Sequence, residues 1–262
     1  MDTALQAASR AGDVIIRNLG RISHKDISLK QSSDFVTRVD KEAESIIIST
    51  IRACFPEHSF LAEETEKSLE TGNYRWIIDP LDGTTNYIHQ YPAFSVSIAL
   101  EYAGEVVAGV IHDPLRGDYY TSEKGKGVFL NKTPVRVSEI ESIGESLIAT
   151  GFPFRRKDII ESYLSLFRKI FLQVSDLRRA GSAALDLAHV ACGKCDGFFE
   201  AGLSPWDIAA GALMIREAGG IVTDFGGGIE YRETGNIIAG NPIVHAQLLH
   251  EVIEVFAGKI DK

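Results

Sequence analysis

The chain has 262 residues, 45% of them hydrophobic and 24% charged, which is enough apolar content for a sizeable core in one large domain or two small ones. Its net charge of −9 and pI of about 5.3 argue against direct nucleic-acid binding, which needs clustered Lys and Arg to neutralise phosphates. No run approaches the ~18 apolar residues of a membrane span, the N-terminal MDTALQAASRAGDVIIRNL lacks the basic and apolar regions of a signal peptide, and three cysteines are too few for a disulfide framework; together these predict a cytoplasmic protein with no membrane partner.

In chain order, apolar residues at helical spacing predict helices over 2–19 and 38–54. A short apolar segment, SFLA, ends in Glu63-Glu64, and the strand-like Trp76-Ile77-Ile78 runs into Asp79. Residues 94–101 and 105–111 flank Tyr102-Ala103-Gly104 and read as an antiparallel hairpin, followed by more strand and turn to about 137. From about 146 the pattern alternates: strand SLIATGF, helix 158–173, a short strand around Leu177, helix 183–194, strand DGFFE, helix 206–218, strands GIVTD and NIIAG, and helix 243–257. The change at 138–146 divides one domain into subdomains of about 1–140 (helices plus antiparallel sheet) and 141–262 (an α/β layer). No Pro/Gly/Ser linker marks it, so the halves are expected to share a continuous interface.

The chemistry concentrates in acids at element ends. Pro80 lacks an N–H and fixes φ, so the chain turns there. In such a turn the side chains of Asp79 and Asp82 and the carbonyl of Leu81 can converge, giving the oxygen ligands that hard cations such as Mg²⁺ prefer. Gly83-Thr84-Thr85-Asn86 follows and reads as a helix start with free N–H groups suited to an anion. Glu63-Glu64, Asp40 and Asp207 end or begin other elements, so four segments offer carboxylates. Taken singly, Asp-Pro-x-Asp-Gly is a common turn, Glu63-Glu64 a solvated pair and Asp207 a first-turn helix acid. Clustered, they would repel strongly without cations, and a two-metal phosphoryl-transfer site resolves that.

Glu63-Glu64, the run WIIDPLDGTTN over 76–86, RAGSAA over 179–184 and WDIAAG over 206–211 together resemble the inositol monophosphatase family, in the expected order and over the whole chain. The resemblance implies an α/β (α+β) fold, a layered αβαβα sandwich, and Mg²⁺-dependent, lithium-sensitive hydrolysis of phosphate monoesters by a homodimer. It implies two or three Mg²⁺ ions per site: Glu63, Asp79 and the Leu81 carbonyl for the first, Asp79, Asp82 and Asp207 for the second, and Glu63 assisting a third. Asp40 and Thr84 match the pair that activates the attacking water. Gly83 and Thr84 match the phosphate-receiving amides. Gly181, Ser182, Ala183 and Glu200 match contacts to the alcohol portion, which Asp82 and Asp207 adjoin. Lys30 resembles a lysine near the metals, although the following QSSDFVTRV is short for the family, and Glu64 completes the acidic pair.

The remaining features carry less. Cys192-Gly193-Lys194-Cys195 has no second pair at zinc spacing and reads as packing at a helix end. Asp113-Pro114-Leu115-Arg116-Gly117 repeats DPLxG with Arg in place of the second Asp, and reads as a turn. The glycines at 219–220 and 226–228 precede no Gly-Lys-Ser/Thr and are turns. His89, His112, His189 and His245 show no metal spacing, and Arg178-Arg179, the basic pair near the expected site, either neutralises substrate phosphate or, the favoured reading, pairs with surface acids. The substrate expected is a small phosphorylated polyol or sugar, with inositol monophosphate first and fructose bisphosphate as the alternative. A different class of reading is a binding protein of transcription or RNA processing.

Overall fold

The computed structural model describes residues 1–31, 34–65 and 72–256. Helix α1 (Asp2–Asn18) buries Ala4, Ala7, Ala8, Ala11, Val14 and Ile15, and α2 (Arg38–Cys54) buries Val39, Ala43, Ile47 and Ile51. In each the buried residues recur at three and four, so one stripe faces inward. Between the helices lies a hairpin that the spacing did not predict, β1 (Ile27–Gln31) with β2 (Asp34–Thr37). The sequence between its strands carries no Gly, Asn or Asp to advertise a tight turn.

A seven-stranded sheet follows in sequence order: β3 (Ser59–Ala62), β4 (Tyr74–Asp82), β5 (Ser95–Tyr102), β6 (Glu105–Asp113), β7 (Asp118–Glu123), β8 (Val128–Leu130) and β9 (Thr133–Val135). Only β3–β4 is parallel. The short helix α3 (Thr84–Ile88) starts directly after β4. The expected β5–β6 hairpin is present, with Tyr102 opposite Glu105.

Strand periodicity assigns the layers. Phe60, Ala62, Trp76 and Ile78 pack with α1 and α2, whereas the alternate Leu61 and Ile77 pack on the other face. That second face meets α5 (Ala183–Ala191) and α6 (Pro205–Glu217). Helix α6 buries every residue from Asp207 to Ile215, as a helix must when it has protein on all sides. Glycines permit the close approach: a Cβ on Gly109 would stand 3.1 Å from the Ala210 Cα, and one on Gly211 would stand 2.5 Å from the Leu187 Cβ.

Beyond the middle helices lies a five-stranded mixed sheet in the order β11–β10–β12–β14–β13, formed by β10 (Leu147–Thr150), β11 (Asp176–Arg178), β12 (Gly197–Glu200), β13 (Ile221–Thr223) and β14 (Ile237–Gly240). Phe198 and Ala239 face the middle layer; Phe199, Ile238 and Ile148 face α4 (Ile160–Phe171) and α8 (Pro242–Phe256). Phe198 and Phe199, both at 0% exposure, each stabilise a different interface by about 1.5–3 kcal/mol. A short helix, α7 (Tyr231–Thr234), precedes β14. The layers thus run αβαβα.

The predicted second-half elements are all present, with shifted ends. The helix expected over 183–194 stops at Ala191, because Gly193 adopts a left-handed φ of 70° that ends it. Residue 257, the expected end of the last helix, lies outside the described residues. At the seam near 138–146, Val137 N–H donates to the Ala218 carbonyl at 3.2 Å and Asn241 Nδ2 donates to the Ile140 carbonyl at 2.9 Å. No helix among the described residues is long and apolar enough to cross a membrane.

Candidate active site

Strand β4 brings Asp79 and Asp82 to one side only because it is irregular. Residues three apart in a regular strand face opposite ways, but the pairing with β5 shifts between Asp79 and Asp82, where Pro80 and Leu81 form a bulge. The Leu81 N–H donates to Asp79 Oδ1 at 2.9 Å, which tightens the turn. Gly83 then takes a φ of 91°, and a Cβ there would stand 2.9 Å from the Ala93 carbonyl oxygen and 3.1 Å from that of Gly181. Two loops meet at this glycine. Asn86 fastens them, donating through Nδ2 to the carbonyls of Ala93 (2.7 Å) and Ala180 (2.8 Å).

Three helix N-termini hold the other acids. Asp40 is the N3 residue of α2: its Oδ2 accepts from the Thr37 N–H at 2.9 Å and hydroxyl at 2.6 Å, and its Oδ1 accepts from the Thr84 hydroxyl at 2.9 Å. Asp207 is the N3 residue of α6, and its Oδ2 accepts from the Ser204 N–H at 2.8 Å. Both are capping boxes of the form Thr/Ser-x-x-Asp. Asp82 meets α5 from outside: its Oδ2 accepts from the Ala184 N–H at 2.8 Å and from the Ser182 hydroxyl. For Asp79, Asp82 and Asp207, one oxygen is thus spent on the protein frame.

One carboxylate oxygen from each of Asp79, Asp82 and Asp207 lies within 4.8 Å of the other two at a cleft of about 630 Å³. Glu63, Leu81, Gly83, Thr84, Gly181, Ser182, Ala183 and Glu200 line the same cleft. Burial pushes the carboxyl of Asp40 up to about 6, that of Asp82 to about 6 and that of Asp207 to about 7, with the neighbouring acids adding to it. Asp79 goes well above the ordinary range, through burial and then the charges of Glu63, Asp82 and Asp207. Like charges ~4 Å apart repel by about 4 kcal/mol at an effective dielectric of 20. An all-oxygen cluster in that state fits a hard divalent cation.

Not every expected residue meets the cleft through its side chain. Ser182 is fully buried and its hydroxyl is directed at Asp82, so it positions that aspartate. Glu64 is absent from the lining, and its N–H donates to Glu44 at 2.8 Å. Lys30 lies in β1, and its side chain is outside what is described. The arginine pair divides. Arg178 pairs with Asp176 as expected, but Arg179 lines the cleft.

Three charged residues of the cleft were missed or misjudged from sequence: Arg155, 3.6 Å from Asp207, together with Arg179 and Asp186. Arg179 opens the RAGSAA stretch and Asp186 follows just after it, one turn into the helix, whereas Arg155 sits in no motif. Cys192 and Cys195 are free thiols, and burial pushes Cys195 up to about 12, consistent with packing. The DPLRG echo is a turn: Asp113 Oδ1 accepts from the Leu115 and Arg116 N–H groups, and the Arg116 guanidinium pairs with Oδ2 at 2.6 Å.

Comparison with known proteins gives a consistent picture. The family model described as "Inositol monophosphatase family" matches residues 1–256. A Salmonella typhimurium protein named Nus factor SuhB is 48% identical over 247 residues, 94% of this chain and 92% of that protein. An inositol-1-monophosphatase from Mesorhizobium japonicum is 44% identical over 253 residues, 96% and 95% of the two chains. The crystal structure of extragenic suppressor protein suhB from Bartonella henselae superposes with a TM-score of 0.93 at 44% identity, covering 96% of this chain and 97% of that one.

Proposed function

The chain belongs to the inositol monophosphatase family, and from that premise we propose that it is a Mg²⁺-dependent phosphate monoester hydrolase acting on inositol monophosphate. The observation that carries the reading is the convergence of Asp79, Asp82 and Asp207 on one point of the cleft, with the Asp40–Thr84 pair beside it. Glu63, Asp79 and the Leu81 carbonyl would hold one ion and Asp79, Asp82 and Asp207 a second, with Glu63 assisting any third. Such ions supply charge neutralisation for the attacking water, the phosphate and the departing alkoxide.

The chain's own residues orient the rest. The Thr84 hydroxyl donates to Asp40 Oδ1 at 2.9 Å and is 3.1 Å from the Leu81 carbonyl, which leaves its lone pairs to accept from a water. As that water's oxygen bonds to phosphorus, its proton passes to Thr84 Oγ and Thr84's own proton passes to Asp40. The bond from phosphorus to the alcohol oxygen breaks in line, and the alkoxide takes a proton from solvent. Gly83 and Thr84 receive the phosphate, and Gly181, Ala183 and Glu200 face the alcohol. The reading includes a cytoplasmic homodimer inhibited by Li⁺.

The test is a phosphate-release panel with Mg²⁺ comparing kcat/KM for inositol monophosphate, fructose bisphosphate, histidinol phosphate and phosphoadenosine phosphate. Inositol monophosphate is expected to lead, and leadership by fructose bisphosphate would shift the substrate assignment. The relatives named Nus factor support a second reading, a transcription-related binding role. Release from no substrate, together with transcription machinery retained on immobilised Asp82→Asn protein, would put that reading ahead.

A further inference from the structure

Two acids in the cleft lack the anchoring seen at the others. Asp186, on the cleft side of α5, is 3% exposed, and Glu200, at the end of β12, is 6% exposed. Among the described residues neither carboxyl takes part in a hydrogen bond; burial acts on them first, and then the charges of neighbours. A Cβ on Gly151 would stand 2.0 Å from Glu200 Oε1, so the absence of a side chain at 151 makes the slot in which Glu200 lies. Arg179 acts on both acids and is itself without an ion pair among the described residues.

Buried polar groups are ordinarily satisfied, and the one place open to these two is the cleft they line. Their chemistry selects what can satisfy them. Carboxyls repel the phosphate, which the cationic end of the site would take, but they accept hydrogen bonds from alcohol O–H groups, and a guanidinium donates to alcohol oxygens. We infer that Asp186, with Glu200 and Arg179, forms a subsite that reads the hydroxyls of a polyol or sugar leaving group, and that Asp186 is a specificity-determining residue. Glu200 was matched to the alcohol by resemblance, whereas Asp186 matched no expected contact.

This inference rests on the phosphatase reading, and its test separates the two. Wild-type, Asp186→Leu and Asp186→Asn proteins are assayed with Mg²⁺ on inositol 1-phosphate and on p-nitrophenyl phosphate, whose leaving group has no hydroxyl to read. Asp186→Leu is close in size but cannot hydrogen-bond. It is expected to lower the ratio of kcat/KM for inositol 1-phosphate to that for p-nitrophenyl phosphate about tenfold or more. Asp186→Asn, which still accepts and donates, should recover part of the ratio. A ratio unchanged in both variants, even with both activities lowered, overturns the assignment alone. Wild-type protein inert toward both substrates overturns the phosphatase reading and this one with it.

Discussion

Asp82 divides its two oxygens between frame and cleft. Oδ2 accepts from the Ala184 N–H and the Ser182 hydroxyl, which leaves Oδ1 for the site. Asp82→Asn keeps the shape and loses the charge, so the fold is expected to persist while turnover drops. Ser182→Ala keeps the charge and loses one support, a change that typically costs ~10–100-fold in activity. The expected order is therefore wild type, Ser182→Ala, Asp82→Asn, with Asp82→Asn falling beyond that range, as read by kcat on the preferred substrate and by unchanged circular dichroism. Near-normal turnover in Asp82→Asn would sink the site. Asp79, Asp82 and Asp207 were legible in the sequence because each lies in a local motif. Arg155 and Asp186 were not, because what places them at the cleft is contact between segments far apart in the chain. The echo at Asp113 shows how local the signal is. The same Asx turn forms there, but Arg116 stands where the second acid would be and closes on Asp113.

At the scale of elements, the site is assembled from the starts of helices. The boxes Thr37-x-x-Asp40 and Ser204-x-x-Asp207 each use an acid that caps its helix; Asp207 lines the cleft, and Asp40 stands behind it, bonded to the cleft-lining Thr84. Thr37→Ala removes the cap hydroxyl, which accepts from the Val39 N–H at 3.0 Å, and loss of such a cap costs about 1 kcal/mol of stability. Because that hydroxyl also donates to Asp40 Oδ2 at 2.6 Å, activity should fall by more than so small a loss of stability explains. Denaturant midpoints and kcat/KM measured on one preparation check this, and full activity in a protein destabilised by that amount would contradict it. The long amphipathic helices, the β5–β6 hairpin and the alternation after residue 146 were readable because periodicity persists over many residues. The β1–β2 hairpin was hidden by strands of five and four residues joined without a turn signal. The bulge at Pro80-Leu81 was foreseen as a turn, but its effect, two aspartates three apart on one side, follows from pairing with β5.

Across the whole molecule, the cleft draws on three of the five layers' elements: Asp79 and Asp82 from the large sheet, Asp186 and Asp207 from the middle helices and Glu200 from the small sheet. The middle helices share one apolar core with both sheets, so we propose that the two halves unfold as a single unit. A ligand held at the cleft then stabilises everything at once. The acids that would hold it burden the folded state, since burial and mutual repulsion both oppose their ionisation. A cation that binds only the folded chain adds about 2.7 kcal/mol at a hundredfold excess over its Kd, a rise in Tm of roughly 5–10 °C for a chain of this size. Asp79→Asn keeps an oxygen for the Leu81 N–H and removes one charge from the cluster. In chelator it should therefore melt at or above the wild-type Tm, and with Mg²⁺ it should gain much less than wild type. Calorimetry of both proteins with EDTA and with Mg²⁺ reads the two effects separately. An equal Mg²⁺ shift in both would show that the cation stabilises the protein from somewhere other than this cluster.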